Sequence, residues 1–186
     1  MALRAIFGGS FDPPHVGHVL AAEYVLLTEM VQAVTVVPVF RLAFDKEMAD
    51  YEHRLALARA AFGHLNDVDV SDVERALPTP SYTIRTLEAL AERYPGDELR
   101  LLMGADLLAD AHRWVRFDEI RQKAPLLILG RVGVPSQDAP AVLPDVSSSR
   151  VRGWLRQRPE PEAQKHLRWA LPARVRREIE LRRLYA

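Results

Sequence analysis

The 186-residue sequence has no cysteine, which excludes disulfides, thiolate metal sites and a cysteine nucleophile. It also has no apolar run near the roughly 18 residues that a membrane-spanning helix needs. The amino-terminal "MALRAIFGGS" lacks the apolar core of a secretory signal. We therefore expect a cytoplasmic protein with no membrane partner, and one domain over 1–186 whose part from about 146 to 186 is helical.

The chain has no overall excess of charge, since 25 basic side chains balance 25 acidic ones. From Arg150 onward, however, 11 Lys or Arg face 4 Asp or Glu. Such a segment binds an anionic ligand or nucleic acid, or it is a pair of solvated helices. Aromatic residues do not interleave with the basic ones as they do in single-strand binders. We expect no nucleic-acid partner and keep a non-catalytic nucleotide-binding or nucleic-acid-binding protein as a remote alternative.

Short apolar runs alternate with helix-periodic segments along the chain. This alternation predicts an α/β protein with a doubly wound, Rossmann-like parallel sheet, helices on both faces and a small helical carboxyl-terminal appendage. Stretches 134–145 and 158–163 are rich in proline and read as linkers. Strands are predicted at 3–7, 33–37, 68–73, 98–104 and 125–130. Helices are predicted at 16–29, 51–62 and 82–93, the last capped by Ser81. Two further helices are predicted, one beginning at the serines near 147 and one with Pro172 in its first turn.

The stretch "GGSFDPPHVGHV" stands at the first strand-to-helix joint. Glycines let the backbone approach a ligand, and the positive end of the following helix suits an anion. His15 and His18 are three residues apart, so they share one helix face, and Gly17 is expected to keep that face open. In parallel sheets, ligands bind beyond the carboxyl ends of the strands. These features together predict a polyphosphate site.

Other phosphate and metal sites fit this stretch less well. A Walker-type loop needs Gly-Lys-Ser/Thr, and a dinucleotide fold needs Gly-x-Gly-x-x-Gly; neither is present. A metal site on His15 and His18 lacks an evident third ligand.

Two stretches carry a family resemblance. "GGSFDPPHVGH" resembles the His-x-Gly-His signature of the nucleotidyltransferase superfamily, and "VSSSRVR" (146–152) resembles its second signature, Ile-Ser-Ser-Thr-x-Ile-Arg. "PSYTIRTLEAL" (80–90), "GADLLADAHRW" (104–114) and "LPARVRREIELRRLY" (171–185) are similar to bacterial nicotinate-mononucleotide adenylyltransferases. The resemblance implies transfer of AMP from ATP to nicotinate mononucleotide, giving deamido-NAD and pyrophosphate for NAD biosynthesis, with Mg²⁺ bound alongside ATP.

The resemblance also implies residue roles on the ATP side. The catalytic phosphate contacts it implies are His15, His18, Arg152 and Lys46, and its other ATP contacts are Gly8, Gly9, Ser10, Phe11, Gly17, Gly104, Asp106, Ser148 and Ser149.

Four residues are implied to bind nicotinate mononucleotide: Tyr82 and Thr83 at a helix start, Trp114 against the pyridine ring, and Arg131 near the phosphate. Tyr82 and Trp114 also fit simple packing roles, and Arg131 a surface position. Preference for the amide mononucleotide or for phosphopantetheine is the alternative within the superfamily.

The loop after the second predicted strand departs from the family pattern. Many members have Pro-Pro-His-Lys there, whereas "VFRLAFDK" keeps Lys46 and lacks the histidine. Leu42 stands where a polar residue is common, which bears on phosphate contacts or nucleotide choice. Oligomeric state has no signal in the sequence.

Overall fold

The computed structural model describes residues 1–42, 47–133, 139 and 141–185. Within these ranges, the chain forms six strands and eight α-helices. The strands are β1 (Leu3–Gly9), β2 (Ala33–Pro38), β3 (Val68–Val70), β4 (Glu98–Gly104), β5 (Leu126–Arg131) and β6 (Ala141–Leu143). The helices are α1 (Val16–Leu27), α2 (Tyr51–Phe62), α3 (Thr83–Arg93), α4 (Leu108–Ala111), α5 (Phe117–Lys123), α6 (Ser148–Arg156), α7 (Pro161–Ala170) and α8 (Ala173–Arg182).

All paired strands run parallel, in the order β3-β2-β1-β4-β5-β6. The central strand β1 has β2 on one side and β4 on the other, with Ile6 opposite Thr35 and Leu101. The strand order reverses at β1, and the carboxyl end at such a switch point is where open α/β sheets bind ligands. This topology confirms the predicted Rossmann-like class and puts the glycine-rich stretch at the switch point.

The core lies on both faces of the sheet because β1 sends alternate side chains to opposite sides. Ala5 and Phe7 join a first apolar cluster that includes residues of α1, α2 and α6 to α8. Ile6 joins a second cluster, formed with residues of α3 and α5. The carboxyl-terminal helices therefore share the core of the first face, although the assignment of 1–186 to one domain stays a prediction.

Both proline-rich stretches that read as linkers contain regular structure. β6 lies within 134–145, and α7 begins at Pro161 within 158–163. Proline suits the first position of a helix because its missing N–H has no partner there. Because these parts contain a strand and the start of a helix, their interpretation as linkers is wrong.

Several predicted boundaries differ from the observed ones. α1 ends at Leu27, the strand predicted at 68–73 ends at Val70, and α8 begins one residue after Pro172. The short helices α4 and α5 were not predicted. They lie in the polar segment after β4, where the hydrophobic period is too short to indicate a helix.

Ser81 does not cap α3, contrary to the prediction. Tyr82 occupies the N-cap position, and the Ser81 hydroxyl accepts a hydrogen bond from the Arg41 N–H at 3.2 Å. The Ser81 N–H donates to the Arg41 carbonyl at 2.7 Å. This reciprocal pair joins the loop after β2 to the start of α3. Among the described residues, no helix combines the length and the apolar character required to cross a bilayer.

Candidate active site

The first loop (residues 8–15) connects the end of β1 to α1. Phe11 within it has φ of 47°, in the left-handed region that is unusual for a residue other than glycine. Its side chain is buried and lies edge-on to Phe7 and Phe62 at centroid distances of 5.5 and 5.7 Å. Aromatic packing therefore holds a strained backbone conformation at the switch point.

Two glycines of the loop and helix start have opposite surroundings. A Cβ atom at Gly8 would have nothing within 4 Å, so the space above the end of β1 is open. A Cβ atom at Gly17 would lie 3.2 Å from the His15 ring and 3.3 Å from Val146 Cγ1. The expectation that Gly17 leaves an open face is wrong, because the His15 ring and Val146 fill that space.

The two imidazoles stack on each other at the start of α1. Their centroids are 3.7 Å apart, and the rings are inclined by 27°. The backbone N–H of His15 donates to Nδ1 of the His18 ring at 3.1 Å. The backbone N–H of His18 donates to the His15 carbonyl at 2.9 Å. Since Nδ1 of a neutral His18 accepts a hydrogen bond, its proton lies on Nε2. His18 thereby keeps a neutral N–H donor on the far side of its ring.

Both histidines are neutral at physiological pH. Burial and, secondarily, the positive charge of Arg131 lower the pKa of His15 from 6.5 to about 3. The pKa of His18 is well below its ordinary value because of burial, with further lowering by His15 and Arg131. Bound phosphate would oppose all of these effects, since a nearby negative charge favours the protonated imidazole.

The start of α6 faces the first loop. Ser147 caps this helix through its hydroxyl, which accepts from the Arg150 N–H at 3.3 Å. The Ser148 hydroxyl donates to the Pro13 carbonyl at 2.9 Å. Arg152 donates to the Asp12 carbonyl at 2.5 Å and, with its other terminal nitrogen, to the Ser149 hydroxyl at 3.2 Å. The structure therefore joins both sequence signatures, although about 140 residues separate them.

A buried arginine outside both signatures supports the first loop from the side of α2. Arg54 of α2 is only 2% exposed, and its guanidinium donates to the carbonyls of Ser10 and Val39 at 3.0 and 2.8 Å. It also donates to the carbonyls of Phe40 and Ala49. One cation thus fixes the first loop relative to the chain segments after β2 and before α2. Nothing in the sequence separates Arg54 from Arg59, the second arginine of the same helix.

Arg131 and Asp106 form an ion pair at the ends of β5 and β4, with Nη2 and Oδ2 2.6 Å apart. Nη1 of Arg131 donates to the Val146 carbonyl at 3.0 Å, just before α6. Gly104 precedes this pair, and a Cβ atom there would clash with the Asp106 carboxylate. Arg131 therefore bridges β4 to α6 and lies close enough to the histidine pair to influence it. Its predicted contact with the mononucleotide phosphate stays a prediction.

Residues 6–153 match the family model described as cytidylyltransferase-like, which spans both signatures. A relative from Anaeromyxobacter dehalogenans, named a probable nicotinate-nucleotide adenylyltransferase, is 39% identical over 97% of this chain and 95% of its own. The chain belongs to the cytidylyltransferase-like family and is related to proteins named probable nicotinate-nucleotide adenylyltransferase. A Bacillus pumilus relative with the same name is 31% identical over 97% of this chain and 96% of its own.

The fold of this nucleotidyltransferase also matches solved structures. The Plasmodium falciparum nicotinic acid mononucleotide adenylyltransferase complexed with NaAD aligns with a TM-score of 0.79 and 17% identity, covering 100% of this chain and 98% of that one. At this identity, the match concerns the fold alone.

The predicted mononucleotide contacts other than Arg131 lie on the second face of the sheet. Tyr82 and Thr83 stand at the start of α3, as predicted. Tyr82 and Trp114 both pack, partly buried, against the second apolar cluster. The buried Glu74 accepts from the Phe40 N–H at 2.8 Å and from the hydroxyl of Thr86, a residue of α3, at 2.7 Å. Glu74 thus holds the start of α3 against the loop after β2.

Lys46 lies outside the described residues, so its predicted phosphate contact stays a prediction. Leu42 is described and partly buried. Asp12 lies inside the first signature but carries no predicted role. Among the described residues, no group of three or more His, Asp or Glu side chains could hold a metal ion.

Proposed function

We propose that the protein transfers the adenylyl group of ATP to nicotinate mononucleotide, producing nicotinate adenine dinucleotide and pyrophosphate in NAD biosynthesis. The observation that carries this proposal is the meeting of the stacked His15–His18 pair with Ser148 and Arg152 at one end of β1. Imidazole N–H, hydroxyl and guanidinium groups are donors suited to phosphate oxygens. The family relationship supports the same reaction class.

The reaction requires no protein base. The second pKa of a phosphate monoester is about 6, so the 5′-phosphate of the mononucleotide is largely ionised at neutral pH. One of its oxygens attacks the α-phosphorus of ATP, and the bond from that phosphorus to the bridging oxygen of the β-phosphate breaks. The bonding electrons leave with pyrophosphate. The protein has to align two anions and stabilise the charge that develops on the phosphates.

The two signatures supply donors for that charge from opposite sides. The Nε2–H of His18 is available because Nδ1 is already bonded to the His15 N–H. Arg152 and the amino-terminal ends of α1 and α6 add positive potential for the β- and γ-phosphates. These groups are fixed before the substrate arrives, which is the condition under which hydrogen-bond donors lower a barrier most.

Mg²⁺ is expected to accompany ATP. The donors of this site suit phosphate oxygens, and Mg²⁺ commonly binds through substrate phosphates and retained water. It would neutralise charge on the triphosphate. The backbone N–H groups of Ser148 and Ser149 at the start of α6, together with the Arg152 guanidinium, would contact the phosphate oxygens.

The second substrate is assigned to the start of α3 and Trp114. A carboxylate at a helix N-terminus accepts charge-assisted hydrogen bonds from backbone N–H groups, and Tyr82 and Thr83 occupy such a position. An amide at the same place lacks the charge, which favours the acid by about 1–2 kcal/mol, or about 5–30-fold. Trp114 offers an aromatic face for the pyridine ring.

Pyrophosphate release tests the proposal. The purified protein would receive Mg²⁺ and ATP with nicotinate mononucleotide, its amide or phosphopantetheine in parallel reactions. We expect the acid to have the highest kcat/KM, by about ten-fold over the amide. Preference for phosphopantetheine, or no pyrophosphate with any acceptor, would contradict the proposal.

A further inference from the structure

Tyr185, beyond the end of α8, contacts the first loop from 173 residues away in sequence. The chain turns after the helix because Arg183 and Tyr185 have φ of 53° and 58°. Two left-handed residues so close together are uncommon in a chain segment without glycine. They bring the Tyr185 hydroxyl to Asp12 Oδ1, to which it donates at 2.7 Å.

Asp12 contacts three separate parts of the chain: Tyr185 after α8, Arg152 of α6, and the segment before α2. Its side chain is only 1% exposed. Oδ1 accepts from Tyr185 and from the Ala49 N–H at 3.3 Å. Oδ2 has no hydrogen-bond partner among the described residues and lies 3.6 Å from Nη1 of Arg152. The same Arg152 nitrogen donates to the Asp12 carbonyl.

The hydroxyl of Tyr185 is a permanent donor in this arrangement. Burial, followed by the hydrogen bond to Asp12, raises the pKa of Tyr185 above its ordinary value. The phenol therefore stays protonated and supplies Asp12 Oδ1 with a neutral hydrogen bond. Without it, the buried carboxylate would lose a donor, and the cation that forms an ion pair with it is Arg152, 3.6 Å from Oδ2.

We propose that Tyr185 is a positioning residue of the phosphate site: its hydroxyl holds the Asp12 carboxylate so that Arg152 is directed at the phosphates of ATP. This inference rests on the proposed function, because it takes Arg152 to contact ATP. Tyr185 itself does not contact the substrate. If its hydroxyl is removed, Arg152 turns further toward Asp12 and less toward the triphosphate.

Tyr185→Phe removes one oxygen and keeps the packed ring. We expect the KM for ATP to rise about 5–10-fold, the size of one ordinary net hydrogen bond, with the KM for nicotinate mononucleotide within about two-fold of wild type. The matched control is Tyr94→Phe. Tyr94 also donates to a carboxylate, Asp69 Oδ2 at 2.9 Å, but near Arg4 at the other end of β1. That variant should leave both KM values unchanged.

A double-mutant cycle separates positioning from general stabilisation. If Tyr185 acts through Arg152, Tyr185→Phe should add less than two-fold to the loss in KM for ATP caused by Arg152→Lys. Additive losses, an unchanged KM for ATP in Tyr185→Phe, or equal rises in both KM values would overturn the proposal.

Calorimetric binding of MgATP to the wild-type protein, Tyr185→Phe and Tyr94→Phe keeps the two proposals distinguishable. Wild-type protein that binds MgATP but releases no pyrophosphate would contradict the proposed function. In that case, weaker MgATP binding by Tyr185→Phe than by Tyr94→Phe would still support the positioning role. Equal binding by those two variants would refute it.

Discussion

The triphosphate half of the site (residues 8–18 and 147–152) and its pyridine half (Tyr82, Thr83 and Trp114) are constructed differently. In the first, buried polar groups fix the loops: Arg54 bonds four carbonyls, and Asp12 links the first loop to Tyr185. In the second, Tyr82 and Trp114 are held by apolar packing and are partly exposed.

This difference corresponds to the two tasks that the proposed reaction sets. Phosphate chemistry needs donors in fixed positions before charge develops, and directional buried hydrogen bonds provide that rigidity. A planar ring can be bound by a non-directional aromatic surface. Near Trp114, the side chains of Leu107, Leu108 and Val115 are 46%, 42% and 46% exposed, so this half presents apolar surface to solvent. We infer that rigidity is concentrated where bonds change.

The largest expected effect comes from removing the best-fixed donor. His18→Ala should lower kcat by about 10²-fold or more and leave the circular-dichroism spectrum unchanged, because a preorganised transition-state contact is lost. His64→Ala, at an exposed position after α2, is the control and should retain full turnover. Near-normal kcat in a folded His18→Ala protein would break the comparison between the two halves.

A smaller effect, on the other substrate, is expected from the pyridine half. Trp114→Ala should raise the KM for nicotinate mononucleotide about ten-fold, as expected for loss of an aromatic stacking partner, while the KM for ATP changes less than two-fold. Trp114→Phe should recover part of the loss. Steady-state kinetics with each substrate varied in turn would measure this. A parallel rise in both KM values would mean that the halves are not independent.

The smallest effect concerns pH. His15 has a pKa of about 3 in the folded protein and 6.5 as its ordinary value, so the unfolded chain binds more protons between these values. Stability must therefore fall as pH drops below about 6.5, by about 0.7 kcal/mol from pH 7 to pH 6 for this group. Urea denaturation should show that His15→Asn removes this part of the dependence, while the part due to the lowered pKa of His18 remains.

His112→Asn tests whether that pH dependence is specific to the triphosphate half. His112 is exposed and lies in the segment before Trp114. We expect the variant to keep the pH dependence of wild type. An equal loss of dependence in both variants would be inconsistent with a burial effect at His15.

The sequence predicted the parts whose signals are local. The pattern in "LRAIF" indicated β1, and the period of "YEHRLALARAAF" indicated α2 with its observed bounds. The short spacing of His15 and His18 indicated their contact. β6 and the whole of α7 were not predicted, because the prolines before or within them favoured a linker interpretation.

The supports of the site had no local signal. The contact of Tyr185 with Asp12 depends on how α8 packs against α2, which no motif encodes. Arg54 reads as a solvated helix residue until the loops around it are placed. Long-range polar contacts of this kind follow from topology and packing, which a single sequence indicates only coarsely.

The buried guanidinium of Arg54 has a consequence for the opposite side of the same peptide bonds. In a trans peptide, the C=O and the N–H of the next residue point in opposite directions. Since Arg54 draws the Ser10 oxygen inward, the amide hydrogen of Phe11 is turned outward, away from the core. The peptide bond between Val39 and Phe40, after β2, shows the same geometry. Its carbonyl oxygen accepts from Arg54, and its N–H donates to Glu74 on the other side. A positive charge buried beneath the first loop thus orients a backbone dipole of that loop, with the positive end pointing away from the core.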